Sequence, residues 1–337
     1  MDSAAHKPVR HRVRSSGEGQ ALLSYLSDLI PVAQVDVLSA IEQGRFCLED
    51  GRVLEAQTPL KAGQIILADV PDRSTQDPFL PPPPDRLVEL YRDAHILAVC
   101  KPAGLLCHPM GPARLSALSI AQDQLQSEGE PSELRPLHRL DRETSGILLM
   151  ARSLATDIAI KSLFEQRKVH KRYVALVHGR LKQKQELVDA PIAPDSGPIR
   201  VRMRVHPSGK SAQTRLRVLE NFGDDASFSW IEAQPLTGRT HQIRVHLAHL
   251  GHPVVGDKLY CNEGEAFLKK WRGELQAKDI EQLGLPRHAL HASELSLTHP
   301  HSHKKLLLSA NIPPELLGFA RQKGSRSSTK ELAGSGS

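Results

Sequence analysis

The segment that best indicates the fold comprises residues 138–151, which read HRLDRETSGILLMA. A turn dense in charged side chains runs directly into the apolar residues 147–151, a pattern typical of a buried strand. Asp141 therefore lies in a polar turn at the entrance of a strand. An isolated aspartate in such a turn usually caps the backbone or pairs with a nearby arginine, here Arg139 or Arg142, so its role depends on the rest of the chain.

Further strand patterns flank this segment on both sides. Apolar, strand-like runs occur at residues 96–100, 173–177, 201–205 and 228–233. Helical patterns alternate with them, and one helix has an apolar face formed by Ala155, Ile158, Ala159 and Leu163. The sequence therefore predicts an α+β main domain, with a mixed, largely antiparallel sheet and flanking helices.

A small unit precedes this domain at residues 18–71. It has helical patterns at residues 21–30 and 35–42, a hairpin signal at Asp50-Gly51 and an apolar strand at residues 64–70. This helix-helix-hairpin order resembles the αL RNA-binding module first described in a small-subunit ribosomal protein. Residues 35–42 carry no basic side chain, so a packing module without RNA contact is the alternative.

The remaining segments have compositions that disfavour folding. We expect a basic flexible tail at residues 1–17, a proline-rich linker at 72–85 and a disordered tail at 318–337, which leaves residues 86–317 as the main domain.

The overall charge favours a polyanionic partner. The 337 residues carry a formal charge of +6, and basic side chains gain affinity by releasing counterions from phosphates. No apolar run approaches the ~20 residues of a membrane span, and no apolar stretch follows the basic N-terminus as in a secretory signal. The four cysteines form no CxxC pair. We therefore expect a cytoplasmic protein with reduced thiols.

Basic side chains concentrate in two regions. Residues 161–184 hold eight Lys or Arg against one Glu, and residues 200–217 hold six with no acid. Arg200, Arg202 and Arg204 alternate, so on a strand they would project from one face. That arrangement suits a track for a phosphate backbone, and it equally suits a solvated sheet edge.

Six segments in order resemble the RluA-type pseudouridine synthase family. They are HRLDRETSG with ILLMAR at 138–152, the strand and KPAGL turn at 91–105, KRYVALVHG at 171–179, LTGRTHQIRVHL at 236–247, GHPVVGD at 251–257 and RHALHA at 287–292. The resemblance covers about residues 86–312, and six collinear matches are far more specific than one. Cys261, after Tyr260, departs from the glycine usual in the family.

The resemblance implies the chemistry and its residues. Asp141 would be the essential carboxylate that acts on a uridine of RNA, and Arg239 would pair with it. Tyr173 would lie against the base, Leu290 would form an apolar wall, and Arg139 would fill the gap left in the RNA stack. Uracil is detached at N1 and reattached at C5 without redox change or hydrolysis, so no cofactor and no metal are expected.

Several alternatives remain open at this level. Tyr173 could be a plain core residue, because aromatic side chains on strands usually pack. A non-catalytic RNA-binding protein would also explain the basic regions. A serine hydrolase using Ser145 lacks the GxSxG elbow. A metal site would have to use His288, His291, His299, His301 and His303, whose spacing matches no common metal motif.

The substrate is open between two classes of RNA. Large-subunit ribosomal RNA is favoured by the small N-terminal unit, and transfer RNA is the alternative, since the chemistry is shared. We expect the protein to act as a monomer.

Overall fold

The computed structural model describes residues 9–30, 34–68, 78–109, 115–131 and 133–327. Its N-terminal part comprises β1 (Val9–Arg12), α1 (Leu22–Leu29), α2 (Gln34–Glu42), β2 (Phe46–Leu48) and β3 (Ile65–Ala68). Strand β3 lies between β1 and β2 and is antiparallel to both. The chain reverses at Gly51, whose positive φ of 84° suits glycine, and Leu54 then donates to the carbonyl of Phe46 at 2.8 Å.

This N-terminal unit has a hydrophobic core of its own. Leu22 and Tyr25 of α1 pack with Phe46, Leu54 and Ile66 of the strand layer, and all five are buried. Burial of these side chains on one side of each element explains why the helices form here, since helices this short gain most of their stability from packing.

The predicted tail at residues 1–17 is too long. Residues 9–12 form β1, and Val13 is buried in the core of the unit, because the free edge of β3 offers backbone partners to a preceding strand. Residues 1–8 of the predicted tail lie outside the described residues. Within the predicted linker at 72–85, residues 78–85 form neither helix nor strand, and residues 72–77 are again outside the described part.

The first strand of the main domain begins at Val88. Its strands are β4 (Val88–Arg92), β5 (Ile96–Lys101), β6 (Arg135–Pro136), β7 (Ser145–Ala151), β8 (His170–His178), β9 (Gln185–Asp189), β10 (Ile192–Pro194), β11 (Met203–Val205), β12 (Gln213–Phe222), β13 (Phe228–Pro235), β14 (Leu290–Thr298) and β15 (Lys305–Ser309). Its helices are α3 (Ala117–Ser127), α4 (Leu154–Glu165), α5 (Gln242–His249), α6 (Glu265–Arg272), α7 (Ala277–Leu283) and α8 (Pro314–Gln322).

One large sheet organises this domain. Its strands follow the order β4-β5-β7-β14-β8-β13-β12-β9, with β15 beside β14 and β6 beside β7. Neighbours are antiparallel except for β7 and β14, which run parallel. The predicted α+β architecture with a mixed, largely antiparallel sheet is therefore confirmed. Among the described residues, no helix combines the length and apolar character needed to cross a membrane.

Most predicted strands form as expected. Residues 96–100, 147–151, 173–177 and 228–233 lie within β5, β7, β8 and β13. All residues of β7 are buried, as the apolar run indicated. Of residues 201–205, only the last three form a strand, β11, which pairs with β10 apart from the large sheet.

The predicted apolar face of α4 is wrong. The helix buries Thr156, Asp157 and Ile160, whereas Ile158 is 62% exposed. Burial of the two polar residues is possible because each has a partner: the hydroxyl of Thr156 meets that of Ser153 at 3.0 Å, and Asp157 pairs with Lys161 at 2.9 Å.

The predicted disorder of residues 318–337 is also wrong for its first half. Residues 318–322 belong to α8, where Phe319 and Ala320 are buried. Beyond the helix, the indole of Trp230 donates to the hydroxyl of Ser325 at 3.2 Å. Residues 328–337 lie outside the described part of the chain.

The parallel contact between β7 and β14 depends on Gly146. Ser145 and Gly146 lie opposite His291 and Ala292. Gly146 has a φ of 112°, and a Cβ at this position would overlap the carbonyl of Ala292 and lie 2.7 Å from its nitrogen. A side chain here would therefore separate the two strands.

We expect Gly146→Ala to lower the free energy of unfolding by about 3 to 5 kcal/mol, because backbone overlap adds to the cost of the positive φ. Urea unfolding followed by circular dichroism measures the change. Gly129→Ala is the matched control: its φ is also positive, at 74°, but open space surrounds it, so about 1 kcal/mol is expected. Equal losses in the two variants would contradict the proposed strand contact.

Candidate active site

The loop that carries Asp141 is held against the turn after β5. Lys101 is fully buried, and its ammonium donates to the carbonyls of Pro102, Leu105 and Arg142 at 2.8, 2.9 and 3.1 Å. Burial lowers the pKa of Lys101 to about 8. One lysine therefore satisfies three carbonyls and joins two loops, which fixes the backbone immediately after Asp141.

Asp141 is held by a buried arginine on α5. One nitrogen of Arg244 donates to Asp141 at 2.8 Å, while its other two nitrogens bind both oxygens of Asp257 at 2.6 and 2.7 Å. Asp257 is fully buried, and Arg244 is 4% exposed. Tyr260 lies beside the guanidinium, with its ring centroid 5.0 Å away. The result is a carboxylate–guanidinium–carboxylate row in which only Asp141 reaches the surface.

This row keeps Asp141 ionised. Burial alone would raise the pKa of Asp141, and the charges of His241, Arg244 and His288 would lower it, but only Arg244 carries its charge at neutral pH. That charge and the hydrogen bond from Arg244 hold the pKa of Asp141 well below its usual range. Burial, reinforced by Arg244, lowers the pKa of His241 to about 4, and burial also holds the pKa of His288 well below its usual value. Both histidines are therefore neutral at pH 7, and Arg244 supplies the lasting positive charge.

The predicted pairing of Asp141 with Arg239 is wrong. Helix α5 begins at Gln242, so Arg239 lies in the preceding turn, where its side chain is exposed and donates to the carbonyl of Ser211 at 3.0 Å. The left-handed backbone of His241, with a φ of 55°, separates this turn from the helix. Arg244, inside the helix, has the position that was assigned to Arg239.

The sequence contains a signal for Arg244 that residue spacing alone does not reveal. It stands between Ile243 and Val245 of α5, and every residue from 242 to 247 is buried. An arginine in such a stretch requires carboxylate partners, because an unpaired buried charge is very costly. Asp257, in the segment GHPVVGD, is the partner it meets.

A second group of charged side chains also holds the Asp141 loop in place. Glu143 binds Lys258 at 3.0 Å and accepts a hydrogen bond from the backbone of His288 at 3.3 Å. Burial opposes ionisation of Glu143, but Lys258 and Lys270 lower its pKa to about 2. The neighbouring Thr144 contacts the ring of His288 at 2.7 Å. These contacts bring the chain before β14 close to the Asp141 loop.

Asp141 and Arg244 of this row line a cleft of about 950 Å³. All five residues singled out from the sequence line it: Asp141, Arg139, Tyr173, Arg239 and Leu290. Tyr173 is 9% exposed and Leu290 is 4% exposed, so their side chains form packed walls rather than flexible arms. Burial, together with the nearby Asp141 charge, raises the pKa of Tyr173, which stays protonated.

The alternating arginines at 200–204 do not form an unpaired basic track. Arg202 binds Glu263 at 3.0 Å, Arg204 lies 3.7 Å from Asp195, and Arg200 lies 4.0 Å from Asp28. Each arginine therefore has an acidic neighbour, which reduces the positive field that a phosphate backbone would meet.

The geometry does not favour a hydrolase or a metal centre. Ser145 does contact a histidine, His291, at 2.9 Å, but both are buried, and the other ring nitrogen of His291 faces the carbonyl of Ala310 at 3.3 Å. A triad would need a carboxylate there. Within the described ranges, no group of three or more His, Cys, Asp or Glu side chains is arranged to hold a metal ion.

Comparisons with known proteins agree with this geometry. The family model described as RNA pseudouridylate synthase matches residues 95–249. An uncharacterized RNA pseudouridine synthase of Chloroflexus aurantiacus is 38% identical over 318 residues, which are 90% of each chain. Ribosomal large subunit pseudouridine synthase D of Xanthomonas campestris is 34% identical and covers 94% of this chain and 92% of its own.

A solved structure is similar as well. Human RNA pseudouridylate synthase domain containing 1 superposes with a TM-score of 0.55 at 28% identity, over 71% of this chain and 90% of the human one. The matched family segment contains Asp141, Tyr173, Arg239 and Arg244.

We expect Arg244→Lys to lower the free energy of unfolding by about 3 to 5 kcal/mol, because an ammonium cannot bind both oxygens of Asp257 and also reach Asp141. Urea unfolding at pH 7.5 measures the loss. Arg239→Lys serves as the control, and less than about 0.5 kcal/mol is expected for this exposed position. The assignment of the pairing arginine would be wrong if Arg239→Lys were the more damaging change.

Buried His291 should make stability depend on pH. Burial lowers its pKa to about 4, whereas in the unfolded chain it titrates near 6.5, so below pH 6.5 only the unfolded chain gains the proton. The stabilising effect is therefore complete above pH 6.5 and is lost towards pH 4, with about 2 kcal/mol lost at pH 5. In His291→Gln, the difference in unfolding free energy between pH 7.5 and pH 5 should shrink by that amount. An unchanged difference would refute this role of His291.

Proposed function

The chain belongs to the family of RNA pseudouridine synthases, isomerases that convert uridine in RNA to pseudouridine, and on that premise we propose that Asp141 is its catalytic carboxylate. The proposal rests mainly on one observation. An aspartate held ionised by a buried guanidinium faces a cleft of about 950 Å³. A nucleophile or general base needs this combination of charge and access.

The walls of the cleft suit an extruded base. A stacked uracil must leave its neighbours before its glycosidic bond can be reached, and unstacking costs a few kcal/mol. In the proposed complex, Tyr173 lies against the uracil, Leu290 forms the apolar wall, and Arg139 occupies the gap in the RNA stack. Apolar and aromatic contacts recover part of the unstacking cost.

Arg244 acts through Asp141 in this proposal. It keeps the carboxylate ionised and fixed, so that Asp141 reaches the target without reorganisation when the RNA enters. Arg239, exposed at the rim of the same cleft, is proposed to contact the RNA directly. The uracil leaves N1 and returns through C5, so the reaction needs only a positioned carboxylate and a pocket that retains the detached base.

Large-subunit ribosomal RNA is the proposed substrate. The relative from Xanthomonas campestris carries a name that refers to this RNA, and its similarity spans the N-terminal unit as well as the main domain. We propose that the N-terminal unit contributes RNA contacts outside the cleft, and that the protein works as a monomer in the cytoplasm, where ribosomal RNA is modified.

Pseudouridine mapping in cells that lack this gene tests both parts of the proposal. Re-expression of the natural chain should restore a pseudouridine in large-subunit ribosomal RNA, whereas Asp141→Asn should restore none, with turnover lower by on the order of 10³-fold or more. Asp123→Asn, an exposed position on α3, is the matched control and should behave like the natural chain. Restoration by Asp141→Asn would overturn the catalytic assignment. A site restored only in transfer RNA would overturn the substrate.

A further inference from the structure

Lys171 lies on the cleft wall next to the proposed uracil site. It belongs to β8 two residues before Tyr173, and side chains two residues apart on a strand project from the same face. Both residues line the cleft. Their separation along the strand, about 7 Å, is of the order of the size of one nucleotide.

The ammonium of Lys171 lies near Phe164, which in turn lies near His138 in the segment before Asp141. It lies 5.7 Å from the centroid of the Phe164 ring, and that ring lies 5.7 Å from the ring of His138. After burial, the charge of Lys171 is the next cause that lowers the pKa of His138, to about 3. The charge of Lys171 is therefore felt at His138, three residues before Asp141.

Two arginines that line this cleft are each paired with two carboxylates of the protein. Arg244 binds two carboxylates, and Arg172 binds Glu232 and Glu294. Lys171 differs from them: in the part of the chain that the structure describes, no carboxylate lies within 4.0 Å of its nitrogen. Burial lowers its pKa, and no acidic side chain offsets that effect.

We propose that Lys171 binds the phosphodiester of the nucleotide whose base lies against Tyr173. This inference rests on the proposed function of the cleft and extends it to the substrate backbone. The ammonium of Lys171 is half-buried and meets no carboxylate among the described residues, so a phosphate oxygen that approaches it gains a strong charge-assisted bond. The contact anchors the backbone on one side of the base while Asp141 faces the sugar and base, which makes Lys171 a binding residue.

The contrasting view is that Lys171 only packs its aliphatic stem on Phe164. Substitution distinguishes the two roles, because methionine keeps the stem and loses the charge, whereas arginine keeps the charge. Lys323 provides a matched control, since its ammonium lies 5.9 Å from the ring of Phe319 on α8, and neither residue lines the cleft.

The first measurement is single-turnover kinetics on an RNA fragment that contains the target uridine. Lys171→Met should raise the RNA concentration for half-maximal rate about tenfold and leave the maximal rate within about twofold, as expected for loss of one ionic contact. Lys171→Arg should stay within about threefold of the natural chain, and Lys323→Met should match it. A fall in maximal rate alone, or an equal effect of Lys323→Met, would overturn the proposal.

The second measurement does not depend on catalysis. The binding constant for a single-stranded oligouridylate is measured as a function of salt concentration. In Lys171→Met, the slope of log K against log salt concentration should be smaller in magnitude by about 0.7, because one phosphate contact is removed. An unchanged slope would contradict a phosphate contact. If the natural chain binds with the expected slope but makes no pseudouridine, the proposed function fails while the Lys171 contact stands.

Chemical substitution of the RNA tests the contact without altering the protein. A methylphosphonate, which is uncharged, is placed at one of the two phosphodiesters that flank the target uridine. At the contacted position it should weaken binding by the natural chain about tenfold and weaken binding by Lys171→Met no further. Additive losses at both positions would show that Lys171 does not bind either phosphate.

Discussion

The buried guanidinium of Arg244 is the interaction on which the site depends. It joins the loop of Asp141, helix α5 and the turn of Asp257, three segments that are distant in sequence. Each of these charges would be costly to bury alone, and each is tolerated because the others are in place. The row therefore acts as a structural unit, and the exposed end of that unit is the reactive carboxylate.

The arrangement has an electrostatic consequence for the whole cleft. Burial and the arginine charge keep His241 and His288 neutral, so the positive charge beside Asp141 does not vary near neutral pH. Glu143 and Lys258 form a separate pair below the loop and do not compete for Asp141. A carboxylate whose surroundings hold a fixed charge is ready to react when substrate enters, because little has to reorient.

The sheet determines how these segments meet. Strand β7 leaves the Asp141 loop and runs parallel to β14 at Gly146, which brings Leu290 beside the loop across a very close backbone contact. Strand β8, antiparallel to β14, places Tyr173 and Lys171 on the cleft wall. Tyr173, Lys171 and Leu290 are thus held on paired strands, which suits a site that must hold a detached base in one orientation.

The sequence alone indicated the strands at 96–100, 147–151, 173–177 and 228–233, the polar turn of Asp141 and the family, because apolar runs and collinear motifs are local features that need no partner to be recognised. It also singled out the segment 236–247, although it assigned the pairing to Arg239. Tertiary structure decided that Arg244 pairs with Asp141, since the choice depends on where α5 begins and on a carboxylate thirteen residues further along the chain. The same holds for the buried face of α4, for the packed residues after 318 and for the ammonium of Lys171, which meets no carboxylate among the residues that the structure describes. Each of these depends on which side chains meet across the fold, and spacing along the chain does not carry that information.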